Sequence, residues 1–295
     1  MAITLDSQCL ICHLRRNVET AQRLGDRQTA TAFAKALMEL YLSAPEAWSS
    51  PCLAPGTTAL FQKFYGLEAD RFRREKQTSN QFVLARLPDI QARIDAAPDP
   101  VFAGLQFAIL GNYIDFSALQ QEVSFEALDA MLQEALRMTP DAGSYAAFQT
   151  DLARAQRLLY LTDNAGEIGF DRLFAQAIAR RYPHLSITFC VRGAPAMNDA
   201  TREDAALMGV PFPVIDNGNA IPGTELSQLG AEAKAALESA DVIVAKGQGN
   251  TETLLGCGYN IYYAFLIKCP RFIELFHREK FTPMFFRERA GIPRQ

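Results

Sequence analysis

Four short polar stretches hold the residue types that phosphoryl chemistry at a hard cation needs. They are Asp163-Asn164-Ala165-Gly166-Glu167, Arg192-Gly193 leading to Asn198-Asp199, Asp216-Asn217-Gly218-Asn219, and Lys246-Gly247-Gln248-Gly249-Asn250. Mg²⁺ and Mn²⁺ take oxygen from carboxylates, amide carbonyls and water. Two carboxylates and one amide oxygen would leave positions open for water and phosphate. A lysine can offset the charge that builds on phosphoryl oxygens. Glycines bring the backbone close to an anion, and helix N-termini turn free N–H groups toward it. Any one stretch reads equally well as a turn or helix cap, since Asp and Asn favour both. Four of them on one sheet edge are harder to explain that way.

Each stretch follows a short apolar run, at Arg157–Thr162, Ser186–Val191, Pro213–Ile215 and Asp241–Ala245. Helical patterns separate the runs. One extends from about Gly166 to Arg181, and another starts at Thr224 with Leu226, Leu229, Ala233 and Leu237 on one face. Strands alternating with helices imply parallel pairing through right-handed crossovers. Runs apolar on both faces imply helices on each side, and ligands bind at the carboxyl ends of such strands. Upstream, Ala30, Phe33, Ala34, Leu37 and Tyr41 recur at helical spacing, and Ser124 can cap a helix carrying Leu128, Leu132 and Leu136. The expected fold is therefore α/β. A mainly helical region, 1–150, precedes a Rossmann-like core, 151–295, with a doubly wound three-layer αβα arrangement, a mostly parallel sheet and the metal site.

Composition narrows the partners. In 295 residues, 29 Lys and Arg stand against 33 Asp and Glu, a net charge of −4 with no dense basic block. That argues against a nucleic-acid surface. No stretch approaches the roughly 18–20 apolar residues of a membrane span, and residues 1–12 lack a basic-then-apolar signal pattern. Six unevenly spaced cysteines do not read as a disulfide framework, so a cytoplasmic setting is expected. Oligomeric state is open.

Other motifs fit other chemistries less well. Cys9-x-x-Cys12 beside His13 suggests a second metal or redox site, yet no second CxxC completes a tetrahedral set; the alternative is a pair of packed thiols. Gly247-Gln248-Gly249 opens like a dinucleotide fingerprint, but Glu252 replaces its third glycine. Gly218 to Thr224 has P-loop glycine spacing without the lysine. Three histidines and no Gly-x-Ser-x-Gly disfavour zinc-protease and serine-hydrolase chemistry. Asp163 is followed by Asn164-Ala165 rather than x-Asp, which favours direct water attack over a phospho-aspartyl intermediate. Phe272, Phe276, Phe281, Phe285 and Phe286 read as packing.

Taken in order, these motifs resemble the DUF89, or damage-control phosphatase (ARMT1-like), family. The resemblance extends to Asn198-Asp199-Ala200-Thr201, Gly111-Asn112-Tyr113-Ile114-Asp115 and Phe265-Leu266-Ile267-Lys268-Cys269, and Cys9-Leu10-Ile11-Cys12 is similar to its short prokaryotic branch. It implies a metal-dependent phosphatase acting on small phosphorylated metabolites such as sugar phosphates, with Mg, Mn, Co or Ni as the divalent metal. Carried over by motif, Asp163, Asn164 and Asp199 would hold the metal. Lys268 would meet the phosphate, with Asp163 or Asp199 orienting the attacking water. Asn112, Asp115, Glu167, Asn198, Lys246, Gly247 and Asn250 would line the substrate site. In longer eukaryotic members an Arg-Thr pair precedes the last lysine; here Phe265-Leu266-Ile267 does. Two other readings stand beside this one: an S-adenosylmethionine-dependent protein carboxyl methyltransferase, and a non-catalytic sugar-phosphate binding protein.

Overall fold

The computed structural model describes residues 3–114 and 124–288. Its first part is helical: α1 Ser7–Leu24, α2 Arg27–Ser43, α3 Ala54–Tyr65, α4 Arg73–Leu84, α5 Leu87–Asp95, α6 Pro100–Gly111, α7 Phe125–Gln133 and α8 Ala142–Leu152. Five of these helices start at Asp6, Asp26, Asp99, Ser124 and Asp141, whose side chains accept a backbone N–H three residues on. Each such cap stabilises its helix by about 1 kcal/mol.

Strand and helix then alternate: β1 Arg157–Leu161, α9 Glu167–Arg181, β2 Ser186–Val191, α10 Arg202–Leu207, β3 Val214–Asp216, α11 Ala231–Ser239, β4 Val242–Lys246, α12 Gly247–Leu254, β5 Ile261–Leu266, α13 Pro270–Phe276 and β6 Pro283–Arg287. The sheet order is β3-β2-β1-β4-β5-β6. All neighbours pair in parallel except β6, which runs antiparallel to β5. The winding reverses between β1 and β4, and the crevice at such a switch point is where doubly wound sheets bind ligands.

The four expected strands are present to within a residue or so at each end. Two further strands, β5 and β6, were not expected. Ile261–Leu266 is buried at every position, and an unbroken apolar run of that length has no periodicity to separate strand from helix. The strand β6 opens on Pro283, which is tolerated because β6 is an edge. Two helices are shorter than their patterns. After Ser124 the helix ends at Gln133, and Leu136 is exposed in a following 3₁₀ turn. The stretch from Thr224 splits into a 3₁₀ turn, Leu226–Gln228, and α11, which buries only Ala233 and Leu237. The stretch 246–250 forms the end of β4 and the first turn of α12.

The helical region and the sheet share one apolar core that runs from Val83 to Phe285. At its centre lies α6, buried from Ala103 to Gly111, as expected of a helix apolar all round. Two glycines let α6 lie close on α9: a Cβ on Gly104 would stand 3.0 Å from the Phe174 Cα, and one on Gly111 2.5 Å from Phe170. This close packing carries Asn112, at the end of α6, to the switch point. Among the described residues no helix is long and apolar enough to cross a membrane.

Candidate active site

At the switch point the chain leaves β1 at Thr162 and turns through Asp163 and Asn164 into α9. Backbone bonds tie this turn to the one after β2: Ala200 N–H donates to Asp163 O (2.7 Å) and Ala165 N–H to Asn198 O (2.9 Å). Asn164 and Asp199 thus face each other across a β-bridge. The turn is also pinned from the helical region. Gly166, at φ +79°, donates its N–H to Asn80 Oδ1 (2.7 Å), and Asn80 Nδ2 donates to Asp204 Oδ1 (2.8 Å). Lys76 pairs with the same carboxylate at 2.9 Å. Helix α4 therefore clips the turns after β1 and β2 together.

Asp163 rests on bare backbone. Gly247 opens α12 at φ +77°, and a Cβ there would lie 2.0 Å from Asp163 Oδ2. Gly66 is also at positive φ, +66°, but a Cβ there meets nothing within 4 Å. Gly66→Ala should therefore cost only the backbone strain, about 1 kcal/mol. Gly247→Ala adds the overlap with Asp163 and should cost roughly 1–3 kcal/mol more. Equal shifts of the denaturant midpoint in the two variants would refute that tight fit.

Asp163 Oδ2 accepts from Asn112 Nδ2 (2.9 Å) and Asn164 Nδ2 (2.7 Å). Asn164 Oδ1 accepts from Asn198 Nδ2 (2.7 Å). Asp199 Oδ2 accepts from Arg192 Nε at 2.6 Å. Asn198 Oδ1 is buried with no hydrogen-bond partner among the described residues, and an orphaned buried acceptor is the kind of group that a cation satisfies. No three carboxylate, thiol or imidazole groups gather as a metal site among the described residues. A cation here would take amide oxygen and water beside the two carboxylates, the hard oxygen set that suits Mg²⁺ or Mn²⁺. Asp163, Asn164 and Asp199 line a cavity of about 990 Å³ that extends to α1 and to the segment before α4.

Several residues expected at the substrate lie behind this set instead. Glu167 is fully buried and accepts from Asn112, from Asn164 and from Lys246. Lys246 is fully buried too. Its Nζ donates to Glu167 (2.5 Å) and Ala108 O (2.8 Å) and pairs with Asp171 at 2.9 Å. Burial alone would lower the Lys246 pKa, but Asp171 and Glu167 outweigh it and raise it. Burial pushes Asp171 up, Lys246 opposes the rise, and Glu167 adds to it. Asn250 is likewise saturated: Nδ2 donates to Thr162 O and Lys246 O, and Oδ1 accepts from Thr224 and Arg192. The geometry gives Glu167, Lys246 and Asn250 protein partners on every side, because a charge this deep needs compensation within the protein. Lys268 follows β5 on the same sheet edge, and its backbone N–H donates to Gln248 Oε1 (2.6 Å). Asp115 lies outside the described residues.

Cys9 and Cys12 line the same cavity, and all six cysteines are free. Cys9 Sγ accepts from Arg271 (3.0 Å), and burial, with Glu252 adding, pushes its thiol up to about 11.

Sequence reasoning placed Arg192 in a strand-end motif without giving it a role, and missed Asp171. Arg192 is buried to 1% exposure and joins four segments: Asp199, Gly223 O (3.0 Å), Thr162 O (3.1 Å) and Asn250 Oδ1 (3.4 Å). Its position at the end of β2 was the available signal. Asp171 lies mid-helix on α9, one turn after Glu167, where nothing in the sequence separates a buried acid from a solvated one.

The family model of the damage-control phosphatase ARMT1-like domain matches residues 5–282. An uncharacterized protein of Methanocaldococcus jannaschii, MJ0202, is 28% identical over 279 residues, 91% of this chain and 90% of that one. A damage-control phosphatase of Archaeoglobus fulgidus is 33% identical over 216 residues, 70% and 72% of the two chains. The crystal structure of a DUF89 family protein, PH1575, from Pyrococcus horikoshii aligns with a TM-score of 0.82 at 27% identity, covering 97% of this chain and 99% of that one.

Proposed function

The chain belongs to the damage-control phosphatase ARMT1-like family, and on that premise we propose that it hydrolyses phosphomonoesters of small metabolites, sugar phosphates and related damaged compounds, in a divalent-metal-dependent reaction. Asp163, Asn164 and Asp199 hold the metal in this reading. The observation that carries it is the convergence of Asp163, Asn164 and Asp199 on the switch-point edge of a large cavity, with Asn198, whose buried oxygen is orphaned among the described residues, donating to Asn164. The name of the Archaeoglobus fulgidus relative, a damage-control phosphatase, supports a phosphatase acting on damaged metabolites.

A bound divalent cation supplies charge for the phosphoryl oxygens and makes water more acidic. The chain's own residues do the rest. Asn112 and Asn164 fix the Asp163 carboxylate, and Arg192 fixes that of Asp199, so neither has to reorganise as charge develops. Asp163 or Asp199 orients the attacking water, and Lys268 meets the phosphoryl oxygens from the end of β5. Lys246 and Glu167 act by holding Asn112 and Asn164 in place. Six free thiols suit a reducing compartment such as the cytoplasm.

The test is phosphate release across a panel of phosphometabolites, after chelation and with Mg²⁺, Mn²⁺, Co²⁺ or Ni²⁺ restored singly. Turnover should vanish on chelation and return with at least one metal. Ligand binding without turnover under every metal, or turnover indifferent to chelation, would overturn the proposal.

A further inference from the structure

The cavity is far larger than a phosphate group needs. At about 990 Å³ it stands at the upper end of the roughly 300–1,000 Å³ of small-molecule sites. Besides the metal-site residues, its lining includes Arg16, from α1, and Arg71, just before α4. Arg71 is rigidly seated, its guanidinium 4.2 Å over the Phe61 ring and 5.1 Å from that of Phe72. Among the described residues neither guanidinium pairs with a carboxylate. Of the acids beside them in the chain, Glu19 pairs with Arg15 at 2.9 Å and Asp70, through Oδ2, with Arg73 at 3.5 Å.

This leaves like charge concentrated in a half-buried place. Burial and Arg16 together lower Arg71 to about 10. His13, which lines the same cavity, is lowered to about 3 by burial, then by Arg16 and Arg71. The ring is neutral at neutral pH and bonds to the Tyr41 hydroxyl at 2.7 Å. Two guanidiniums without a carboxylate partner among the described residues, one stacked on an aromatic ring, are an arrangement that an incoming anion relieves.

We propose that Arg16 and Arg71 form an anion subsite, which takes a second anionic group of the substrate while its ester phosphate occupies the site at Asp163 and Asp199. The subsite rests on the function proposed above and narrows it. The preferred substrates are phosphometabolites with a further carboxylate or phosphate, since the planar guanidinium matches the paired oxygens of either.

The experiment uses Arg16→Gln and Arg71→Gln, singly and together. In one arm, metal-free protein is titrated calorimetrically with inorganic phosphate and, separately, with succinate. Wild type should bind at least one of these anions, and the double variant should bind it about ten-fold or more weakly, the scale of a lost charge-assisted hydrogen bond. The stronger probe identifies the second group as phosphate or carboxylate. Equal affinity in wild type and double variant, or binding by neither, overturns the subsite. In the other arm, kcat/KM for a sugar bisphosphate and for a phosphorylated hydroxy acid is divided by that for p-nitrophenyl phosphate. At least one ratio should fall about ten-fold or more in the double variant, chiefly through KM; unchanged ratios overturn the proposal. A wild type that turns over no phosphoester would sink the phosphatase reading, yet the titration would still decide the subsite. If the double variant does not fold, Arg16→Gln alone carries both arms.

Discussion

Asp163→Asn should lower phosphate release by more than about 100-fold, the ceiling typical of changes one layer out from a metal, while leaving thermal unfolding near that of wild type. The two effects separate because of how Asp163 is held. Asn112 and Asn164 both donate to Oδ2, and a carboxamide oxygen in that place accepts the same two bonds. The side chain also keeps the size that fits against Gly247. What is lost is the charge. Asp199 cannot be treated the same way. Its partner Arg192 is 1% exposed, so Asp199→Ala leaves a guanidinium buried without its carboxylate, at a cost of about 3–5 kcal/mol. The Asp199 variant should therefore lose both activity and stability, whereas Asp163→Asn loses activity alone. Paired measurements of phosphate release and unfolding midpoint decide the matter. Near-wild-type turnover in Asp163→Asn would sink the metal assignment.

That contrast marks the limit of what the chain reveals before it is folded. The strand ends were legible because two constraints coincide there. Buried strands must be continuously apolar, and the first polar residues after them fall where parallel sheets bind ligands. Asp163 and Lys246 stand out on those grounds, as does Arg192, while Asn198 and Asp199 lie further along the loop after β2. What each side chain does was less legible. Lys246 and Asp163 each follow an apolar run, but the register pairs Ala245 with Leu161, so Lys246 stands one residue short of Asp163; one turns into an enclosed ion cluster and the other lines the cavity. The direction depends on α6, whose Ala108 carbonyl and Asn112 amide complete the cluster. That helix is apolar all round and carries no signal of its own register. The clip from Lys76 and Asn80 was hidden for a related reason: polar residues on a helix read as a solvated face until the partner across more than 120 residues, Asp204, is known.

Lys246→Met should be the most destabilising single change at the site. It keeps the chain length and removes the one cation that Glu167 and Asp171 share. Breaking a buried pair in this way costs about 3–5 kcal/mol, an unfolding midpoint lower by roughly 10 °C. The loss should also depend on pH, and the sign follows from Asp171. The groups facing it are Lys246 from β4, Glu167 from α9 and the Tyr160 hydroxyl from β1, which donates to Oδ1 at 2.8 Å. Burial already pushes Asp171 up to about 7 against the opposing lysine. Without Lys246 it must rise further, while in the unfolded chain it stays near the ordinary ~3.9. The folded variant then binds a proton that the unfolded chain releases, so stability falls as pH rises between those two values. At pH 5 the variant should lie closer to wild type than at pH 8. Adding Asp171→Asn should recover part of the loss at pH 8 and little at pH 5, where the acid is already neutral. Urea midpoints at the two pH values test this directly, and a deficit that does not vary with pH would show that Asp171 is not the group left stranded.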